Sequence, residues 1–276
     1  MPMNKKEFLN ILMEHKKQGF QNQIDYNKFY LYSIVTHSTA IEGSTMTEID
    51  NQLLFDEGLT AKGKSIIEQN MNIDLKAAYE RSMQLAKEHT PFSIGVLKHL
   101  SSLVMRRTGS IIHVMAGSFD SSRGDLRLLN VTAGAGGKTY MNFMKVPQQL
   151  KDFCKEINEG REKLLKNPDV YEQYKLSFYA HLKLVTIHPW ADGNGRMSRL
   201  IMNHLQYEFG LVPSKVVKDD KAEYIKALKT SQEEESETPF LDFMFEEHAK
   251  NLQEEIENYK LSMGDEELQP HRGFRR

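Results

Sequence analysis

The chain has 276 residues, 39% hydrophobic and 27% charged, with a formal net charge of −2. That length supports one large domain, or a domain with an appended subdomain, and a core that needs no staples. Near-neutral charge gives no general attraction to nucleic acid or a membrane surface, and no run of about 18 apolar residues is present to span a bilayer.

A single cysteine, Cys154, excludes an internal disulfide and points to a reducing, cytoplasmic setting. No apolar signal core follows Met1, and the short basic tail His271–Arg276 does not outweigh the overall balance.

Most of the chain has helical periodicity. Tyr26, Tyr30, Ile34 and Ile41 fall near one helix face, and Gly43 predicts the stop. Thr45 with Glu48 three residues on has the form of a capping box. It predicts a second helix that carries Ile49, Leu53 and Leu54 and ends near Gly58. Further helices are predicted near 64–88, 92–107 and 147–165.

Residues 108–146 break the pattern. Six of the seventeen glycines lie there (Gly109, Gly117, Gly124, Gly134, Gly136, Gly137), too densely for a continuous helix. The flanks Leu126–Leu129 and Thr139–Phe143 suit two strands that pair across a glycine-rich turn. Gly136-Gly137-Lys138-Thr139 has the ending of a phosphate-binding P-loop, but Thr132 stands where that pattern needs glycine, and strand rather than helix is expected after it.

Helical stripes then resume at Tyr171, Tyr174, Phe178, Leu182 and Val185, and again at Met197, Leu200, Ile201, His204 and Leu205. His181 and His204 suit core or surface roles, and the methionines fall largely on core stripes. An acidic loop at 233–237 precedes Pro239, and a last helix is predicted over 240–262.

Between the two stripes lies His188-Pro189-Trp190-Ala191-Asp192-Gly193-Asn194-Gly195-Arg196. Gly193-Asn194-Gly195 sits directly before a helix, so consecutive backbone N–H groups face one concavity. The unpaired N–H groups of the helix start and its dipole favour an anion there. Arg196 and Arg199, three apart, share a face of the first turns; cations there oppose the dipole and imply a ligand with several negative oxygens. Asp192 would weaken a bare phosphate site, a conflict that a hard cation such as Mg²⁺ resolves. His188 ends the preceding helix, where a neutral imidazole takes a proton from an attacking hydroxyl. Pro189 stops that helix and Trp190 anchors the loop in the core. Base, metal ligand, backbone nest and guanidinium pair are the parts that in-line attack at phosphorus needs.

Residues 188–199 resemble the Fic family signature, H-P-F-x-[DE]-G-N-G-R-x-x-R, with Trp190 for the usual phenylalanine. The resemblance extends downstream to Lys221–Leu228 and implies an all-α, mainly helical Fic fold with a short β-hairpin flap. It implies a nucleotidyltransferase that moves AMP from ATP, with Mg²⁺, to a Ser, Thr or Tyr hydroxyl of a target protein. His188 is then the catalytic base and Asp192 the metal ligand. Gly193, Asn194 and Gly195 receive the α- and β-phosphates, Arg196 contacts the phosphates, and Arg199 reaches the γ-phosphate. Tyr140, Met141, Asn142 and Phe143 belong to a flap that docks the target by strand addition. Tyr224 borders the nucleobase, a plain packing role being the alternative.

Ser38-Thr39-Ala40-Ile41-Glu42-Gly43 resembles the family's inhibitory motif, in the class where the inhibitory helix precedes the core. Glu42 at a helix C-terminus opposes the dipole at a cost of a few tenths of a kcal/mol, about 0.3 or more. It is easier to explain if it meets a cation. The resemblance names that cation as Arg199, with Ser38 in the same motif. The expected organisation is an N-terminal helical region at 1–90 with the inhibitory helix, a Fic core at 91–230 and a C-terminal helical extension at 231–276. Removal of AMP from a modified protein and ATP sensing with little transfer are the alternative functions. No basic recognition helix argues for nucleic acid, and a homo-oligomer is left open.

Overall fold

The structure is a computed structural model that describes residues 3–20, 26–132 and 139–267. The basic tail at 271–276 and the glycines at 134, 136 and 137 lie outside the described residues, as does most of the P-loop-like stretch at 136–139.

The described chain is mainly helical, with a single two-stranded antiparallel sheet. The helices are α1 (Lys5–Lys17), α2 (Tyr26–Ile41), α3 (Glu48–Glu57), α4 (Ile66–Lys87), α5 (Ile94–Val104), α6 (Val146–Lys166), α7 (Val170–Ile187), α8 (Asn194–Glu208), α9 (Lys221–Glu233) and α10 (Thr238–Glu267). The hairpin strands are β1 (Ile111–Val114) and β2 (Gly117–Asp120). Every helix predicted from periodicity is present within a few residues of its expected ends.

The α7–α8 pair lies at the centre. Tyr174, Phe178, Leu182 and Val185 from one stripe, and Met197, Leu200, Ile201 and Leu205 from the other, are buried together. α4 covers α8, α6 lies along α7, and α10 packs on α7 and α9. At the N-terminus, the Phe8 ring meets Tyr174 and Phe245 edge-on at 5.3 and 4.9 Å between centroids. One continuous core therefore takes side chains from α1 through α10. No helix among the described residues is long and apolar enough to cross a membrane.

Two local expectations are corrected. The capping box that starts α3 is formed by Thr47 and Asp50, not Thr45 and Glu48. Thr45 is drawn elsewhere: its backbone N–H and hydroxyl both donate to Glu68 Oε1 of α4, at 2.7 and 2.8 Å. The second correction concerns the hairpin. Leu126–Leu129 is not a strand, and the regular pairing is Ile111–Val114 with Gly117–Asp120. Around 126–143 only an isolated bridge, Thr132 with Thr139, is formed among the described residues. The carbonyls of Leu129 and Met141, which a ladder would need, accept instead from the Arg127 guanidinium.

α2 is pinned by a buried polar cluster. Thr39 Oγ1 donates to Asn72 Oδ1 of α4 at 2.8 Å, and Asn51 Nδ2 of α3 donates to Thr36 Oγ1 at 2.7 Å and Asn72 Oδ1 at 2.9 Å. These bonds tie α2 to α3 and α4, although Asn51 Oδ1 is buried without a partner. The C-terminal end of α2 is thereby fixed beside α8.

Candidate active site

The loop between α7 and α8 is held by its own polar groups. The Asn194 side chain accepts from Trp190 N–H at 3.0 Å and donates to Trp190 O at 2.9 Å. It thus closes the loop. Trp190 is 1% exposed and its indole N–H donates to Gly124 O at 3.1 Å. Gly193, the N-cap of α8, has φ +78°, and a Cβ there would lie 2.9 Å from Met105 Sδ. Both the left-handed backbone and the close approach require glycine. No side chain caps α8, so N–H groups of its first turn remain available to an anion.

His188 also has a left-handed backbone, φ +52°, as the C-cap of α7. A non-glycine residue held there is strained, and such strain gathers at functional sites. Burial pushes its pKa down to about 4, helped by the Arg127 charge, against the hydrogen bond to Val185 O that pulls it up. The ring is therefore neutral at pH 7. Its Nδ1 lies 3.3 Å from Val185 O; a proton on Nδ1 leaves the Nε2 lone pair as the basic position. Tyr140 stacks on the ring, with centroids 3.7 Å apart and planes 16° from parallel.

Arg196 is buried, with Nη2 3.3 Å from Met105 Sδ and 3.5 Å from Asp192 Oδ2. Its Nε and Nη1 are buried without a partner. Unpaired buried cationic donors are costly, and Arg196 lies in the first turn of α8, where phosphate oxygens would satisfy them. Asp192 is 70% exposed, and its Oδ1 accepts from Gly193 N–H at 2.6 Å. A lone open carboxylate beside an anion nest suits Mg²⁺, which commonly takes one or two protein carboxylates plus substrate phosphates.

Arg199, buried, is fully engaged. Its Nε donates to Ser38 Oγ at 2.8 Å, Nη2 to Ser38 O at 2.9 Å and to Glu42 Oε1 at 2.6 Å, and Nη1 to Tyr224 OH at 3.3 Å. Ser38 and Glu42 sit at the C-terminal end of α2, which has no basic residue in its last turn. Arg199 supplies the cation that this dipole end favours. Burial alone would raise the Glu42 pKa, but the charge and hydrogen bond of Arg199 outweigh it and hold the carboxyl below its ordinary value. The pair lies against the anion nest: a Cβ on Gly195 would come within 2.5 Å of Glu42 Oε1.

Tyr224 lies beneath Arg199, 1% exposed, with its hydroxyl 3.0 Å from His181 Nε2. That is a packing and orienting position for Arg199. In the segment expected to form a flap, Tyr140 N–H donates to Val131 O at 3.0 Å, Phe143 N–H to Asn130 Oδ1 at 3.1 Å, and Asn142 Oδ1 caps the short 3₁₀ turn Phe143–Lys145. Tyr140 thus stacks on His188, and the 140–143 segment pairs with Asn130 and Val131 rather than with the anticipated 126–129 strand.

Arg127 and Met105 were not anticipated. Arg127 is the only cation in the apolar run Leu126-Arg127-Leu128-Leu129, and a cation so placed needs buried partners. That signal was present in the sequence. Nothing local marks Met105, which packs against Gly193 and Arg196.

Residues 91–206 match the model of the Fic/DOC family. The chain is 29% identical over 250 residues to "Protein adenylyltransferase fic-1" of Caenorhabditis elegans, covering 88% of this chain and 45% of that protein. It is 28% identical over 213 residues to "Protein adenylyltransferase Fic" of Nematostella vectensis, covering 76% and 45%. The chain thus spans less than half the length of these relatives. Among solved structures, Fic-1 (residues 134–508) of C. elegans superposes with a TM-score of 0.71 at 23% identity, over 92% of this chain and 72% of that one. A Fic domain-containing signalling protein from Bacteroides thetaiotaomicron gives a TM-score of 0.71 at 17% identity, over 92% and 96%. On sequence and fold together, residues 91–206 of this chain are similar to a Fic domain.

Proposed function

We propose that this chain transfers AMP from ATP to a hydroxyl side chain of a target protein, and that Glu42 holds the reaction in check. The observation that carries this reading is the buried Arg196 guanidinium, with Nε and Nη1 unpartnered, beside the uncapped start of α8 and a neutral His188. That arrangement suits an anion, and a base stands next to it. The relatives named adenylyltransferases point to the same chemistry.

In this reading His188 Nε2 takes the proton of a Ser, Thr or Tyr hydroxyl as the hydroxyl oxygen attacks the α-phosphorus of ATP. The bond to the bridging oxygen breaks, and pyrophosphate leaves. Backbone N–H groups at Asn194 and Gly195, with Arg196, receive the phosphates, and the Gly193 N–H, which donates to Asp192 Oδ1 at 2.6 Å, joins them when Asp192 turns to the metal. Asp192 would hold Mg²⁺, which neutralises phosphate charge when bound. Arg199 is the γ-phosphate contact, so the carboxylate of Glu42 takes the place of that phosphate. Tyr140 to Phe143 line the approach of the target segment. Segments 1–90, 91–230 and 231–276 act as inhibitory region, Fic core and supporting extension, in a reducing, cytoplasmic setting that suits the unpaired Cys154.

The test uses α-labelled ATP with Mg²⁺ and three proteins: wild type, Glu42→Gly, and Glu42→Gly with His188→Ala. Label retained on protein by the single variant and lost with His188 is the expected result. No label on any of them, with ATP binding intact, would make the chain a nucleotide-binding regulator instead. Release of AMP from a pre-labelled protein would favour the removal reaction.

A further inference from the structure

Arg127 joins three segments that the proposed reaction needs in register. All three guanidinium nitrogens donate to carbonyl oxygens: Nε to His188 O at 2.7 Å, Nη1 to Leu129 O at 2.7 Å, and Nη2 to Met141 O at 2.6 Å. The Arg127 backbone N–H adds a fourth bond, to Pro189 O at 3.1 Å. The side chain is 1% exposed, and Arg127 forms no ion pair among the described residues. A guanidinium buried in this way is expensive, yet its planar fork of five fixed donors can hold three separated carbonyls at once.

What those carbonyls belong to gives the arrangement its meaning. His188 carries the base, and Met141 is next to Tyr140, whose ring stacks on the His188 imidazole at 3.7 Å. Leu129 begins the segment that pairs with Tyr140 through Val131. Arg127 therefore grips the backbone of the base and the backbone of the flap together.

We infer that Arg127 is a positioning residue that couples the flap to the catalytic loop, so that docking of a target segment and alignment of His188 are one event. This rests on the reading of His188 as the base. Arg127 has no hydrogen bond or ion pair to Arg196, Arg199 or the α8 backbone among the described residues, so its loss leaves the nucleotide nest standing. A purely structural arginine would take nucleotide binding and turnover down together.

The experiment compares Arg127→Lys and Arg127→Met in the Glu42→Gly background. Lysine keeps the charge and loses the fork; methionine keeps bulk alone. The expected result is an ATP Kd within about twofold of the parent and a transfer kcat at least about tenfold lower, because misplacement of a catalytic group by about 1 Å costs up to about a hundredfold. A second measurement is independent of activity. Proton NMR of the His188 ring carries the upfield shift from the stacked Tyr140, assigned with Tyr140→Leu, and this shift is expected to collapse in both Arg127 variants. A retained shift with unchanged kcat overturns the inference, and so does a loss of ATP binding in proportion to kcat. If the Glu42→Gly parent transfers no label, the function reading fails, and the NMR shift alone decides whether Arg127 holds the flap on His188.

Discussion

Charge and shape at the Glu42–Arg199 contact are separable by substitution. Glu42→Gln keeps an oxygen that accepts from Arg199 Nη2, now at 2.6 Å from the carboxylate, but removes the charge. Glu42→Gly removes both. A hydrogen bond to a charged group contributes about 1.5–3 kcal/mol and a neutral one about 0.5–1.5 kcal/mol. Arg199 is charged in either case, so the glutamine retains much of its contact, and the loss is about 1 kcal/mol, or about fivefold in the released population. Deleting the side chain forfeits about 1.5–3 kcal/mol, or about 10- to 150-fold. Arg199 stays in place in both variants through Ser38 Oγ, Ser38 O and Tyr224. Initial rates of label transfer from α-labelled ATP should therefore rise in the order wild type, Glu42→Gln, Glu42→Gly, with circular dichroism confirming the fold. A folded Glu42→Gly protein no faster than wild type, or a glutamine variant slower than wild type, would refute the reasoning.

Three further outcomes follow from the geometry. With His188 at about 4 in the folded state, transfer by the Glu42→Gly protein should stay level from pH 8 to about 5 and halve near 4; a midpoint near the ordinary histidine value of about 6.5 would contradict a buried neutral base. His204 and His248, likewise pushed down to about 3 by burial, protonate first in the unfolded chain. Stability is therefore fully present above about pH 6.5 and falls as pH drops toward the folded values, so a melting temperature that is flat or rising between pH 7 and 5 contradicts the sign. Asn194→Asp keeps the acceptor for Trp190 N–H but sets an oxygen against Trp190 O, where Nδ2 now donates at 2.9 Å. The expected cost is about 1–3 kcal/mol, seen as a drop of about 2–12 °C in Tm; an unchanged Tm would show that the loop does not depend on this bond.

The α7–α8 loop was legible in the sequence because its chemistry is contiguous. The histidine proposed as base, the carboxylate, the glycines and the first arginine occupy nine consecutive residues, and the helix that follows fixes their direction. Glu42 was legible for a different reason: a carboxylate at a helix C-terminus is out of place unless a cation meets it. Arg127 was missed because its partners lie 2, 14 and 61 residues away, and nothing in a local window says which carbonyls a buried guanidinium will find. The hairpin was misplaced for the same reason, since the carbonyls that Arg127 occupies are those the expected ladder required. Thr45 and Glu68, 23 residues apart, misled the helix start likewise. The apparent motif was real as a pattern, but a distant carboxylate reached the threonine first.

The polar cluster of Thr39, Asn51 and Asn72 bears on how quickly the protein answers a signal. It anchors α2 through Thr36 and Thr39, while Glu42 lies just past the last residue of that helix and keeps 32% of its side chain open to water. On the proposed brake, the moving part is a single glutamate side chain on a stationary post. Partly exposed side chains change rotamer within picoseconds to nanoseconds, far faster than a helix detaches. Onset of transfer after the carboxylate is displaced should accordingly show no lag, and the depth of inhibition should follow the instantaneous concentration of whatever competes for Arg199, with no memory of earlier states.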